Sequence, residues 1–245
     1  MNSLIIGNCR VSLHGLHRQN LELVTKLFHT DFELDSDLKP FSGISKNLSL
    51  EESIAILVET ARDSHSKNMY LHSSTLVKGK RCIMLVGPSF GGKTTLTTAL
   101  ALTRNWKVLS EDLSIFDESE AHVIPYCIPL SIREGGWRLL QNLSDWKQIQ
   151  LVKNRWLASV ESFSQERGRA PSELWFLKSS LPDAQFKIEE LGTGEFLRTI
   201  VHLTNALYAP KHMEIISSVL ENAKLKTIEN GSLEQRLDLV DRGVY

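Results

Sequence analysis

The sequence predicts an α/β fold with a mixed sheet flanked by helices, and three observations carry that expectation. Short apolar and β-branched runs alternate with helical patterns along the chain. Two of the runs, 69–77 and 82–86, are joined by the tight turn Lys78-Gly79-Lys80, so the sheet is not purely parallel. A glycine-rich segment, 87–94, then links a buried apolar run to a helical one. With 245 residues, 42% apolar and 23% charged, the chain is unlike a disordered, collagen-like or coiled-coil protein and can bury a core.

The elements follow in order. Residues 4–13 alternate and predict a strand, and Leu21, Val24 and Leu27 fall at helical spacing. The polar stretch 31–46, with Pro40 and Gly43, is a loop and a soft boundary, dividing the chain into a strand/helix region, 1–66, and a larger domain, 67–245. Ser49-Leu-Glu-Glu52 has the form of a capping box, and Leu50, Ile54, Leu57, Val58 and Ala61 carry a helix to about residue 62. After the 69–77 and 82–86 hairpin and the glycine-rich loop, Leu96, Leu100 and Leu102 mark a helix to about residue 103. Strand pieces at 107–109 and 113–116 surround Glu111-Asp112, and a hairpin through 117–120 leads to Val123 and Ile124. The segment 136–159, rich in Lys and Gln, is expected to be helical. Its Trp137, Trp146 and Trp156 are either core or, with at least one exposed, an acceptor platform. A strand is expected at 172–178, one amphipathic helix at 195–208, and a C-terminal stretch that is helical and then polar.

Charge and composition exclude several classes. A net charge of −1 leaves no electrostatic footprint for nucleic acid or an anionic membrane. No apolar run approaches the ~20 residues of a membrane span. The N-terminal apolar patch is broken by Asn8 and Arg10, which predicts no secretory signal. Cys9, Cys82 and Cys127 are odd in number and scattered, so neither a disulfide framework nor a zinc site is expected. A cytoplasmic protein without nucleic-acid or membrane partners is the expectation.

Gly87-Pro-Ser-Phe-Gly-Gly-Lys93-Thr94 matches G-x-x-x-x-G-K-[ST] in full, between a predicted strand and a predicted helix. Glycines let successive backbone N–H groups turn inward around phosphate oxygens, and the helix N-terminus adds its positive dipole. Nucleotide binding is therefore assigned to Gly87, Pro88, Ser89, Phe90, Gly91, Gly92, Lys93, Thr94 and Thr95. Lys93 supplies charge at the β- and γ-phosphates, and the Thr94 hydroxyl is a Mg²⁺ ligand. Glu111-Asp112 lies on the next strand, where a carboxylate can hold the metal or take a proton from an attacking hydroxyl; an exposed acidic turn is the alternative. Asp117 is a rival ligand beside Glu118 and Glu120. His72 stands on the strand paired with the loop strand, where a structural histidine is the commoner case.

Leu71-His72, a hairpin, Val86-Gly-Pro-Ser-Phe-Gly-Gly-Lys-Thr94 and Leu109-Ser-Glu-Asp112 together resemble the nucleotide core of HPr kinase/phosphorylase and its relatives. The resemblance is sharp over about residues 70–135. It implies a fold similar to phosphoenolpyruvate carboxykinase, with ATP and Mg²⁺ as cofactors and 67–245 as the catalytic domain. His72 would contact the transferring phosphoryl group. Of Glu111 and Asp112, one would be the base and the other would support the metal. Both positions are usually Asp in the family; Asp112 is favoured for metal or base, with Glu111 second, and Thr94 and Asp112 are the metal candidates. Arg133, in Ile128-Pro-Leu-Ser-Ile-Arg133, is a looser candidate for stabilising transition-state charge.

The glycine-rich C-terminal signature of the bifunctional enzymes is not evident, Glu166-Arg-Gly-Arg-Ala170 being the nearest stretch. Too little chain precedes His72 to hold their N-terminal domain. The resemblance is thus to the compact branch, which includes kinases that phosphorylate serine in ribosomal, lasso-type peptide precursors. The expected function is transfer of the ATP γ-phosphate to a serine hydroxyl of a peptide or protein. Free-serine or other small-molecule kinases, and a non-catalytic nucleotide-binding module, are the alternatives. Homo-oligomerisation, known in the family, stays open. Arg167, Arg169 and Lys178 are either a contact for an acidic acceptor or a solvated face.

Overall fold

The computed structural model describes residues 3–6, 9–12, 18–28, 49–126, 128–143, 146, 148–160, 168–178 and 185–243. The first elements are β1 (Ser3–Ile6), β2 (Cys9–Ser12), α1 (Arg18–Phe28) and α2 (Leu50–Ser64). The central stretch forms β3 (Tyr70–Leu71), β4 (Ser73–Lys78), β5 (Arg81–Val86), α3 (Lys93–Arg104), β6 (Lys107–Ser110), β7 (Ser114–Phe116) and β8 (Val123–Ile124). Then come β9 (Leu130–Arg133), α4 (Glu134–Leu140), β10 (Gln148–Val152), β11 (Arg155–Ser159) and β12 (Glu173–Leu177). The chain closes with β13 (Lys187–Glu190), α5 (Thr193–Ile200), two 3-10 turns, α6 (Pro210–Asn222), β14 (Lys224–Glu229) and α7 (Leu233–Arg242).

The fold class is the expected one, mixed α/β. Six strands form the main sheet in the order β13-β14-β12-β5-β4-β6. β12 runs parallel to both β5 and β14, while β4 and β13 pair antiparallel with their neighbours. Along β5, Ile83 and Leu85 face one apolar cluster and Cys82, Met84 and Val86 the other, so the strand is buried on both faces. α3 and α7 cover the first face, with Leu96, Leu100, Leu237 and Val240; α5 and α6 cover the second, with Phe196, Ile200, Ile215 and Ile216. A third cluster packs Val24, Leu27, Ile54, Leu57 and Ala61 of α1 and α2 against Leu113, Ile115, Tyr126 and Ile128, which brings α2 beside the acidic turn. The capping box that starts α2 is formed: Glu52 N–H donates to Ser49 Oγ at 3.2 Å and Ser49 N–H to Glu52 Oε2 at 2.8 Å.

Several expectations are corrected. The alternating run 4–13 is two strands, β1 and β2, folded back on each other with Ile6 opposite Cys9. The run 69–77 breaks at His72, whose N–H leaves the ladder and donates to Leu203 O at 2.8 Å; β3 and β4 consequently join different sheets. The segment 136–159 is mostly not helical. α4 ends at Leu140, and β10 and β11 form a hairpin in which Ile149 opposes Ala158 and Leu151 opposes Trp156. β-branched and aromatic pairing there overrides the polar Lys/Gln content. The helix expected over 195–208 stops at Ile200, since Thr204 bridges to Leu71 and the rest forms 3-10 turns. The polar C-terminal stretch hides β14, a core strand whose Lys226 lies 4.7 Å over the Trp175 ring. The three tryptophans are part-buried against the first core face, with Trp137 and Trp156 stacked at 4.4 Å. The loop expected over 31–46, and Cys127, lie outside the described residues.

Candidate active site

The glycine-rich loop leaves β5 and enters α3, as its sequence predicts. Its glycines have physical reasons. A Cβ on Gly87 would lie 2.6 Å from the Leu177 carbonyl oxygen of β12, and Gly92 sits at φ +88° as the residue before α3. Phe90, at the tip, holds the left-handed conformation at φ +68° and is 84% exposed. A bulky residue there is strained, and such strain gathers at functional loops. Lys93 is buried, and its ammonium donates to the Gly87 and Pro88 carbonyl oxygens at 2.8 and 3.2 Å. Burial pushes its pKa down, against the pull of Glu111 and Asp112. Thr95, two residues on, packs against α4, where a Cβ on Gly136 would meet its Oγ1 at 2.5 Å.

The turn after β6 separates the two acids. Glu111 is 2% exposed: Thr94 Oγ1 donates to its Oε1 at 2.6 Å and Ser74 Oγ to its Oε2 at 2.5 Å. Burial raises its pKa, and the two hydroxyls only partly oppose that shift. Asp112 turns the other way at φ +64° and is exposed. Its Oδ1 lies 3.1 Å from His72 Nε2, and that hydrogen bond holds the carboxyl below the usual range. Adjacent carboxylates thus have opposite environments, one on the loop threonine and the other on the histidine. Beneath them Ser73, Thr75, Ser110 and Ser114 form a buried hydroxyl cluster centred on Ser114 Oγ, with three contacts of 2.8 Å. It satisfies polar groups that the break at His72 brings inside.

Arg133 caps β9 with its guanidinium 3.8 Å over the Phe90 ring, close enough to Lys93 to depress that pKa further. A second arginine is not legible in the sequence: Arg236 of α7 is buried, bonded to Asn230 O at 2.8 Å, with its Nη1 3.4 Å from Gly91 O. The polar α7 sequence gives no signal of its approach to the loop. Ser74 of β4 and Arg62 of α2 carry no local sequence signal either. Arg62, Arg133 and Arg236 line, with the loop, Glu111 and Asp112, a cleft of about 1210 Å³. Asp117 is elsewhere, accepting from Ser119 and Glu120 N–H groups in a local turn. Arg169 bridges to Val123, Lys178 pairs with Glu189 and Glu229 at 3.5 and 3.4 Å, and Arg167 lies outside the described residues.

The donors suit a magnesium nucleotide. The Thr94 hydroxyl and Glu111 offer oxygen alone, the donor type of a hard cation that keeps waters and phosphate oxygens as its other ligands. Gly87 and Gly91 let the loop pack tightly against the Leu177 and Pro88 carbonyl oxygens, where a Cβ would stand 2.6 to 3.2 Å away. Among the described residues no cluster of three His, Cys, Asp or Glu forms a protein-only metal site. No helix among them is long and apolar enough to cross a membrane.

No family model matches the chain, and no curated protein matches it. Among solved structures it is distantly similar to the Hpr(Ser) kinase/phosphatase from Coxiella burnetii, with a TM-score of 0.34 and 10% identity over 71% of this chain and 91% of that one.

Proposed function

We propose that this chain is an ATP- and Mg²⁺-dependent phosphotransferase that phosphorylates an alcohol, the serine hydroxyl of a peptide or protein. The observation that carries the reading is the divergence of the acid pair, with Glu111 buried on Thr94 and Asp112 ionised against His72. Two titratable groups pushed apart by their surroundings mark a division of labour. Glu111 and Thr94 would hold the metal, which when bound neutralises phosphate charge. The loop N–H groups and Lys93 would bind and orient the β- and γ-phosphates, and Arg133, whose charge reaches Lys93, would offset charge developing on the transferred group. Asp112, fixed by His72, accepts the hydroxyl proton as the serine oxygen bonds to the γ-phosphorus and the bond to the β-phosphate oxygen breaks. Positioning and charge neutralisation supply most of the catalysis in such transfers. A reducing, cytoplasmic setting accords with Cys82, a free buried thiol with its pKa pushed up to about 12.

The test is intact-mass phosphotransfer with ATP and Mg²⁺, comparing wild type with Asp112→Asn on serine peptides, free serine and HPr. A phosphate added to a peptide or protein and lost in the variant supports the reading. Transfer to free serine alone moves the assignment to a small-molecule kinase. Nucleotide binding without transfer to any acceptor replaces it with a nucleotide-binding module.

A further inference from the structure

A second cleft, of about 420 Å³, is also lined by the His72–Asp112 pair. It contains no residue of the phosphate loop, yet it shares Val58, Arg62, His72, Asp112 and Ile128 with the larger cleft. The two clefts therefore meet at the carboxylate assigned as base. A hydroxyl entering from the small cleft would reach Asp112 while a phosphoryl group enters from the large one.

The wall of this cleft is built rather than incidental. Tyr70 N–H donates to Asn205 Oδ1 at 2.8 Å, Asn205 Nδ2 to Asn68 O at 2.9 Å, and Thr204 Oγ1 to Tyr70 O at 2.6 Å. With His72 N–H on Leu203 O, these bonds fasten the 3-10 segment to the strand that carries His72. The early end of the helix at Ile200 makes this attachment possible.

The charge in the cleft is asymmetric. Its one carboxylate, Asp112, is hydrogen-bonded to His72 and also feels the charge of Arg62, whereas Arg62 is exposed and has no carboxylate within ion-pair distance among the described residues. Glu59 and Asp63, the acidic neighbours of Arg62 on α2, line only the larger cleft. His202 adds a second nitrogen base, and Tyr208, 85% exposed, stands on the rim beside Leu207, 68% exposed. An exposed cation that faces hydroxyl-bearing side chains, and whose nearest carboxylate is already hydrogen-bonded to His72, can take a second anionic group. Exposed aromatic and aliphatic side chains at the mouth suit neighbouring residues of a chain more than a lone metabolite.

Resting on the phosphotransferase reading, we infer that this second cleft is the acceptor subsite and takes a serine peptide with an acidic residue beside the reactive serine, its carboxylate bound by Arg62.

The probes are three blocked peptides, Ac-Ala-Ser-Asp-Ala-NH₂, Ac-Ala-Asp-Ser-Ala-NH₂ and the neutral Ac-Ala-Ser-Asn-Ala-NH₂, titrated into the full chain while the ring protons of His72 and His202 are followed by NMR. One or both acidic peptides should bind at least tenfold more tightly than the neutral one and shift both rings. In Arg62→Gln the gap should fall to within twofold, and in Tyr208→Ser all three peptides should weaken alike with the acidic preference kept. A thermal melt of each variant separates these effects from unfolding. Equal binding of all three peptides, no binding by any, an unmoved His202 ring, or a preference that survives Arg62→Gln each overturns the subsite. Adding ATP and Mg²⁺ to the same samples distinguishes the two ideas. Acid-selective binding without phosphotransfer rejects the phosphotransferase and keeps the subsite, whereas transfer with no acidic preference does the reverse.

Discussion

The Thr94 hydroxyl donates to Glu111 Oε1 at 2.6 Å, tying the first turn of the loop helix to the turn that follows β6. Glu111 needs its charge to hold a divalent cation, and metal binding competes with protonation of the ligand. Glu111→Gln keeps the size and one accepting oxygen, with the other hydroxyl turning to accept from the amide NH₂, but removes that charge. Mg²⁺ should then strengthen ATP binding at least tenfold less than in wild type, while metal-free ATP affinity changes little. Calorimetric titration with and without Mg²⁺ measures both.

The same substitution has a stability consequence with a definite sign. Burial raises the pKa of Glu111, so the folded state prefers the protonated acid. Its burden on the fold is absent below the ordinary carboxylate pKa and grows as pH rises toward the raised folded value. The melting temperature of Glu111→Gln should therefore exceed that of wild type at pH 8 and converge with it near pH 4. Melts across this range, without nucleotide or metal, provide the check.

Asp112 carries the opposite sign. The hydrogen bond from His72 lowers its pKa, so the carboxylate stays ionised to lower pH than an ordinary aspartate. In His72→Ala the pKa should return upward, and the acid limb of the kcat/KM profile should move to higher pH with it. Asp112→Asn should lower kcat by about 10²–10⁴, the usual contribution of a positioned base. A His72→Ala profile with an unmoved acid limb would separate His72 from the proton transfer.

The phosphate loop also tests close packing. A methyl group on Gly87 would meet the Leu177 carbonyl oxygen at 2.6 Å, a backbone atom that cannot rotate aside, so the parallel strands β5 and β12 must part. Gly87→Ala should destabilise by about 1–3 kcal/mol, or roughly 2–12 °C in Tm, and weaken ATP binding. Gly135 in α4 has nothing within 4 Å of its would-be Cβ, so Gly135→Ala should be neutral or stabilising by up to about 1 kcal/mol. Paired thermal melts compare the two.

What the sequence made legible was local chemistry. The phosphate loop is contiguous and its strand–loop–helix setting has a sharp pattern, while the Ser49–Glu52 capping box needs only four residues. Glu111 and Asp112 were legible as a pair but not as opposites, because their difference comes from Ser74, Thr94 and His72, brought in from other elements. The alternation through 69–77 concealed the break at His72, since a strand that changes sheets keeps its period of two. Lys226 is buried at the middle of β14 beside Trp175, so the strand looked polar when read one residue at a time. Arg236 and Arg62 reach the clefts only through tertiary packing of α7 and α2, which no local spacing encodes.

The last prediction separates a contact from a charge. Arg133 rests 3.8 Å over the exposed Phe90 ring, a stack worth about 0.5–1 kcal/mol at such a site. If the stack only parks Arg133 near the phosphates, Phe90→Ala should weaken ATP·Mg²⁺ binding by about 2–5-fold. Arg133→Ala removes the cation itself, and a charged hydrogen bond of about 1.5–3 kcal/mol corresponds to roughly 10–150-fold. Phe90→Trp preserves the aromatic face and should bind as wild type. The expected order of loss is Arg133→Ala, then Phe90→Ala, then Phe90→Trp, read by calorimetry at one ionic strength. Equal losses in the two alanine variants would mean that Arg133 serves to hold the loop tip and carries no charge to the nucleotide.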